Sequence, residues 1–142
     1  MIDINRSIGR LLRADKELYV MAGGLVLLAA AYVFFEIFVV NCRPVLDEGE
    51  LAASYPSSHA MLAVAVAGMG AAYLHARPKK GALIGILVGF LSGVSVCTVA
   101  CRMLGGVHWL TDIVGGVLLG LVITFGYLAA CAFLSKNKET GI

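Results

Sequence analysis

Charge is scarce in this sequence. Only 14% of its 142 residues are Asp, Glu, Lys or Arg, 60% are hydrophobic, and the mean hydropathy is +0.91. Such a composition excludes an ordinary soluble domain and reads as an integral membrane protein. Cysteine lacks a pattern: the four residues Cys42, Cys97, Cys101 and Cys131 lie in or beside apolar runs and make no disulfide framework. No Cys/His spacing of the zinc type occurs, so no metal site is indicated. Linkers, low-complexity tracts and a recurring internal period are missing too, which argues for a single domain over residues 1–142. A cleavable leader is not expected, because the charged start runs directly into a full-length apolar run.

What is present are four apolar runs, roughly residues 18–40, 58–76, 82–101 and 110–134. At about 1.5 Å per helical residue each can cross a hydrocarbon core of about 30 Å. The expected fold is all-α, a polytopic bundle of four spanning helices: a basic start over 1–17, a membrane core over 18–134 and a tail over 135–142. The start sets Ile4, Ile8, Leu11 and Leu12 against Arg6, Arg10 and Arg13. It reads either as an interfacial helix on the inner leaflet or as a short basic tail. Only the first run carries an ionisable residue deep inside it, Glu36. Small residues at every fourth position of the third run, Gly81, Gly85, Gly89, Gly93, Cys97 and Cys101, are expected to let neighbouring helices approach, as are Ala63, Ala67, Ala71, Gly116 and Gly120. Cys97 and Cys131 are read as packing residues, and Cys42 and Cys101 as free thiols.

Nine of the eleven basic residues fall at one end of the runs: Arg6, Arg10, Arg13, Lys16, Arg77, Lys79, Lys80, Lys136 and Lys138. That end, with both termini, is expected to be cytoplasmic. The remaining two, Arg43 and Arg102, lie at the opposite end beside Ser57, Ser58, His59, His108 and Asp112. Pro56 suits the first turn of a helix, and the N–H groups of Ser57, Ser58 and His59 would then form an anion site at a helix N-terminus. His108 and Asp112, four residues apart, would share a helical face, with the carboxylate accepting a hydrogen bond from one ring nitrogen and leaving the other as a lone pair. A lone interfacial histidine is ordinarily only a tolerated polar residue, and His75 beside Arg77 is read that way. The outer cluster is different. Arginine or aspartate near hydrocarbon costs roughly 2.5–3.5 kcal/mol at a helix centre and less at its ends, so collecting two arginines, two histidines, two serines and a carboxylate at one end asks for a function. Asp47, Glu48 and Glu50 read as a solvated loop, Tyr55 and Trp109 as interfacial anchors.

Arg43–Pro44, the run PSSH at Pro56–His59, and Arg102, His108 and Asp112 in the spacing R-x5-H-x3-D resemble the three signature motifs of the type 2 phosphatidic acid phosphatase (PAP2) superfamily. The resemblance runs from about Glu36 to the fourth span. Members of its integral-membrane branch usually have six spans, and this chain looks like the catalytic four. It departs from the family pattern in three places: Glu36 stands where the family has lysine, Ser58 where glycine is common, and Cys101 where serine is usual. The resemblance implies a membrane phosphatase acting on a lipid phosphate or pyrophosphate at the outer face of a bacterial plasma membrane, without metal or cofactor. In that scheme His108 is the nucleophile, Asp112 its orienting carboxylate and His59 the general acid and base, while Arg43, Arg102, Ser57 and Ser58 bind the phosphate. The partners are the lipid substrate and the bilayer; nucleic acid is not expected, and a homo-oligomer is compatible with the sequence. Glu36, two helical turns before Arg43, is expected to pair with an arginine and hold its fork in place. The rival readings are a catalytically silent lipid-binding protein of the same fold and a small cation-coupled exporter using Glu36.

Overall fold

A computed structural model describes residues 16–45, 52–77 and 81–139, the side chains as far as residue 136. The basic start up to residue 15 and the acidic residues Asp47, Glu48 and Glu50 lie outside the described residues. Four helices follow one another: α1 (Lys16–Ile37), α2 (Ser58–His75), α3 (Ala82–Leu104) and α4 (Leu110–Glu139). The only pairing of extended backbone among the described residues is one antiparallel bridge, Cys42 with Ala53. The all-α bundle is therefore as expected, with shifted ends. Arg102 lies inside the last turn of α3, and α4 continues through residues read as tail. Glu36 is the penultimate residue of α1 and exposed, so it does not sit deep within a span.

α1, α3 and α4 are each long and apolar enough to cross a membrane. The fourth, α2, has 18 residues, about 27 Å of helix, with histidines near both ends. It occupies the middle of the bundle, packed on α4 and α3, and α4 in turn carries α1. The core forms where Met61, Ala65 and Met69 of α2 meet Leu28 of α1 and Tyr127 of α4. Outside it the helices present Val26, Leu27, Phe90, Val96, Val122 and Phe125 outward, an apolar exterior suited to lipid. At one end Arg77 meets Glu17 at 3.3 Å and stacks 4.0 Å over the Tyr73 ring, which ties the start of α1 to the end of α2. The opposite end gathers the end of α1 and the starts of α2 and α4.

Small residues do bring helices together, but only some of the expected ones. A Cβ at Gly116 would stand 2.5 Å from the Ser57 carbonyl oxygen, and one at Gly120 would stand 2.8 Å from that of Met61. These two glycines let α4 lie against the backbone of α2. The ladder on α3 does not serve this purpose: Gly81, Gly85, Gly89 and Gly93 have no neighbour within 4 Å of an added Cβ, and Cys97 and Cys101 are exposed. The physical reason is that α3 meets α2 along another stripe, which includes Leu91 against Gly70 and the buried Ser95. Cys131 packs against the core as expected, whereas Cys97 does not.

The sequence treats Gly89 and Gly116 alike; the structure separates them. Gly116→Ala should destabilise the protein by about 1–3 kcal/mol, the usual cost of forcing a group into a filled interface. Gly89→Ala should be neutral or slightly stabilising, since alanine is the better helix former. Thermal unfolding of both variants in detergent checks this, and equal melting temperatures would contradict the packing.

Candidate active site

The polar end of the bundle is built on a short loop pairing. After α1 the chain runs through Asn41, Cys42 and Arg43 and meets the returning segment Ala52–Ser54: Arg43 N–H donates to the Ala52 carbonyl at 3.0 Å and Ser54 N–H to that of Asn41 at 2.9 Å. The Trp109 indole N–H closes over this pairing on the Cys42 carbonyl at 2.9 Å. Trp109, at 49% exposure, keeps one face outward, an interfacial position with a specific hydrogen bond added.

Pro56 follows a cis peptide bond and is buried two residues before α2 begins, with Ser57 as the N-cap; it does not occupy the first turn. The expected anion site is correspondingly smaller. The Ser57 N–H is engaged at 2.9 Å by the backbone carbonyl of Asp112. That leaves Ser58, His59 and Ala60 as the first-turn N–H groups without an intrahelical partner. The Ser57 hydroxyl makes no cap bond, and its oxygen is buried without a hydrogen bond.

His108 lies two residues ahead of α4, so the expected sharing of one helical face with Asp112 does not hold. Its Nδ1 is 3.8 Å from Asp112 Oδ2, beyond a hydrogen bond. The cause is that Asp112 spends its carboxylate elsewhere. At the third position of α4, Oδ2 accepts the Trp109 backbone N–H at 2.9 Å, the reach-back half of a capping box. It also accepts the Ser54 hydroxyl at 2.5 Å. Oδ1 accepts Asn41 Nδ2 at 3.3 Å and is 3.5 Å from the Thr111 hydroxyl. His108 Nδ1 instead stands 3.1 Å from both the Ser54 hydroxyl and the Ser54 carbonyl.

The other ring nitrogen settles the tautomer. Arg102 Nη2 is 2.9 Å from His108 Nε2, and a guanidinium can only donate, so Nε2 carries the lone pair and Nδ1 the proton. Burial pushes the imidazole below its ordinary range of 6.5; the Arg102 and Arg43 guanidiniums push the same way, against the Asp112 carboxylate and the Ser54 carbonyl bond. His108 is thus a buried, neutral histidine with a defined lone pair.

A cavity of about 70 Å³ opens beside it, enough to admit several waters or a phosphate-sized group. Arg43, Ser54, Ser58, His108 and Glu36 contribute its polar wall, Tyr32, Phe35 and Tyr55 its aromatic one. Arg102 approaches from the last turn of α3 and leaves its Nε buried without a hydrogen bond. Unsatisfied buried donors of this kind are uncommon and mark places where polar contacts are still to be made. His59, one residue past Ser58, is exposed and is not part of the cavity lining. Glu36 faces the cavity but forms no ion pair with Arg43 or Arg102; the expected clamp on an arginine is not made. No cluster of three His, Cys, Asp or Glu able to hold a metal forms among the described residues. Ser54 and Asn41 are the participants that sequence reasoning missed. Both lie outside any motif spacing, and their only signal is that they stand in the loops flanking Arg43 and Pro56.

The family model described as PAP2 superfamily matches residues 19–135, all four helices and the whole site. No curated protein and no solved structure is matched.

The charges around His108 carry a pH signature. Removing the nearer cation in Arg102→Met should raise the imidazole midpoint, measured by histidine NMR in detergent. In the wild type the unfolded chain binds the proton more readily than the fold does, so stability should decline as pH falls below 6.5 towards the lowered midpoint. An unmoved midpoint in Arg102→Met would contradict the geometry.

Proposed function

Since the chain belongs to the PAP2 superfamily, a family of phosphatase type, we propose that it is a membrane phosphatase removing phosphate from a lipid phosphate or pyrophosphate through a phosphohistidine. The observation that carries this reading is the neutral His108 with its Nε2 lone pair held 2.9 Å from a guanidinium. An arriving phosphate takes the Arg102 N–H groups onto its oxygens, which frees Nε2 for attack and places phosphorus beside it. Arg43, Arg102, Ser57, Ser58 and the free N–H groups at the start of α2 hold the equatorial oxygens, the charge that a phosphoryl transition state spreads. The N–P bond forms as the bond to the lipid oxygen breaks, and His59 protonates that oxygen. Water then attacks the phosphohistidine, His59 takes its proton, inorganic phosphate leaves and Nε2 regains its lone pair.

Phosphatidic acid, phosphatidylglycerophosphate, polyprenyl pyrophosphates and lipid A phosphates all present such a group at a membrane surface. A polar cavity and an apolar exterior suit a substrate whose head group enters the site while its chains stay in lipid. The sequence distribution of basic residues, nine of eleven at the run ends away from Arg43 and Arg102, favours a cytoplasmic location for both termini and an outward site. A membrane-impermeant thiol reagent should therefore label Pro44→Cys in intact cells and spare Lys79→Cys, both in a background without other cysteines; the reverse pattern would overturn the orientation.

His108→Ala should abolish phosphate release and phosphoenzyme labelling across a panel of lipid phosphates. His59→Ala should form phosphoenzyme slowly and hydrolyse it more slowly still, a combined loss on the order of 100–10,000-fold, as for other positioned acid–base groups. Labelling retained in His108→Ala would sink the assignment. Glu36, exposed and unpaired with an arginine, should affect substrate use rather than the fold. Glu36→Ala is expected to keep the wild-type melting temperature while changing KM, and a large loss of stability would restore it to a structural role.

A further inference from the structure

The buried carboxylate and the candidate nucleophile do not touch; a serine stands between them. Ser54 is 2% exposed, and both of its polar ends are engaged. Its carbonyl oxygen lies 3.1 Å from His108 Nδ1, and its hydroxyl lies 3.1 Å from the same nitrogen and 2.5 Å from Asp112 Oδ2. Donor accounting leaves one consistent arrangement. The Asp112 carboxylate already accepts N–H donors on both oxygens, from Trp109 and Asn41, so the Ser54 hydroxyl donates to Oδ2 as well. The hydroxyl oxygen is then free to accept, and the Nδ1 proton is shared between it and the Ser54 carbonyl. The chain reads Nδ1–H, Ser54 O–H, Asp112 carboxylate, each link pointing the same way, and such chains polarise one another.

The placement of Ser54 is itself built. Its N–H is fixed on the Asn41 carbonyl at 2.9 Å, Ala53 before it pairs with Cys42, and the Asn41 side chain returns to the same carboxylate. Asp112 is further held by Trp109 N–H, so it cannot swing to the imidazole without leaving its helix cap.

We propose that Ser54 is a positioning residue for His108, and that Asp112 acts on the nucleophile through the Ser54 hydroxyl and not by direct contact. The proposal rests on the phosphohistidine reading for its consequence. When Nε2 bonds to phosphorus the ring becomes cationic, and the positive charge is met at Nδ1 by two oxygens of Ser54, with the carboxylate behind one of them. Without the hydroxyl, only the carbonyl remains in contact. The charged groups around the ring are Arg102 from α3, Arg43 from the loop after α1 and Asp112 from α4; changing Ser54 touches neither arginine, and Asp112 keeps its bonds from Trp109 N–H and Asn41 Nδ2.

The test uses the full chain in detergent with nitrogen-15 histidine. The three histidines are resolved in two-bond proton–nitrogen spectra, with His108 assigned by its loss in His108→Gln. The wild type should show His108 as the Nδ1–H tautomer. Ser54→Ala should keep that tautomer, which Arg102 and the residue-54 carbonyl still impose, and lower the imidazole midpoint further, because the cationic ring loses an acceptor. It should also slow phosphoenzyme formation about 10–100-fold with KM within about twofold, while Ser54→Thr, which keeps the hydroxyl, recovers most of the rate. Ser54→Cys fills the same space with a weak donor and should follow Ala. It supplies the same readout should the alanine variant not fold. An unchanged midpoint in Ser54→Ala or Ser54→Cys would overturn the proposal whatever the activity. A lowered midpoint in a chain that releases no phosphate from any lipid would instead remove the phosphatase reading and leave Ser54 as a residue that supports the ring's positive charge.

Discussion

Everything at the polar end of this protein is organised around one buried negative charge. The Asp112 side chain has no exposure to solvent, and a carboxylate taken out of water is costly unless its lone pairs are met. Here they are met from several directions: Ser54 and Asn41 from the two loop strands, Trp109 from the turn before α4 and Thr111 from the helix itself. The backbone of the same residue accepts the N–H of Ser57, the N-cap of α2. One residue therefore ties together the loop after α1, the N-cap of α2 and the start of α4. Only because those three ends are pinned does His108 have a defined orientation.

That arrangement divides labour between the halves of the bundle. In the lower part the helices are held by packing: Met61 and Met69 against Leu28 and Tyr127, and the α4 glycines against α2 backbone. Apolar contacts of this sort position helices without fixing any one side chain's hydrogen bonds. At the polar end hydrogen bonds take over, and they determine tautomer and direction, which packing does not. The link between the two regions is Gly116, which lets α4 approach the Ser57 carbonyl and so brings Asp112 within reach of the start of α2.

The electrostatics follow from the same geometry. Two guanidiniums and burial keep the His108 imidazole neutral, although a carboxylate stands 3.8 Å away. Ser54 separates the two, so the carboxylate's influence reaches Nδ1 through a hydroxyl while Nε2 stays available. Glu36 stands apart from this network. It borders the cavity at the end of α1, where a negative group faces the space that Arg43 also faces, and it makes no bond to either site arginine.

Much of this was legible in the sequence. Apolar run length gives the four helices, because a bilayer demands about 20 residues per crossing. The motif spacing gives Arg43, Arg102, His108 and Asp112, because their chemistry restricts which residues serve. The helix ends, the outward face of the Gly81–Gly93 ladder and the exposure of Glu36 were not legible: which stripe of a helix meets a neighbour depends on how all the helices pack at once, and a period of four small residues is the same whichever way it faces. Nor was Ser54 legible. The four-residue interval between His108 and Asp112 suggests direct contact on a helix, but the helix begins at Leu110, and its cap claims the carboxylate that the interval appeared to offer the histidine. The types of group at the site belong to the chain's composition and spacing. Which of them touch was decided by tertiary structure, since a hydrogen bond of 3 Å depends on the position of three backbone segments that no local pattern specifies.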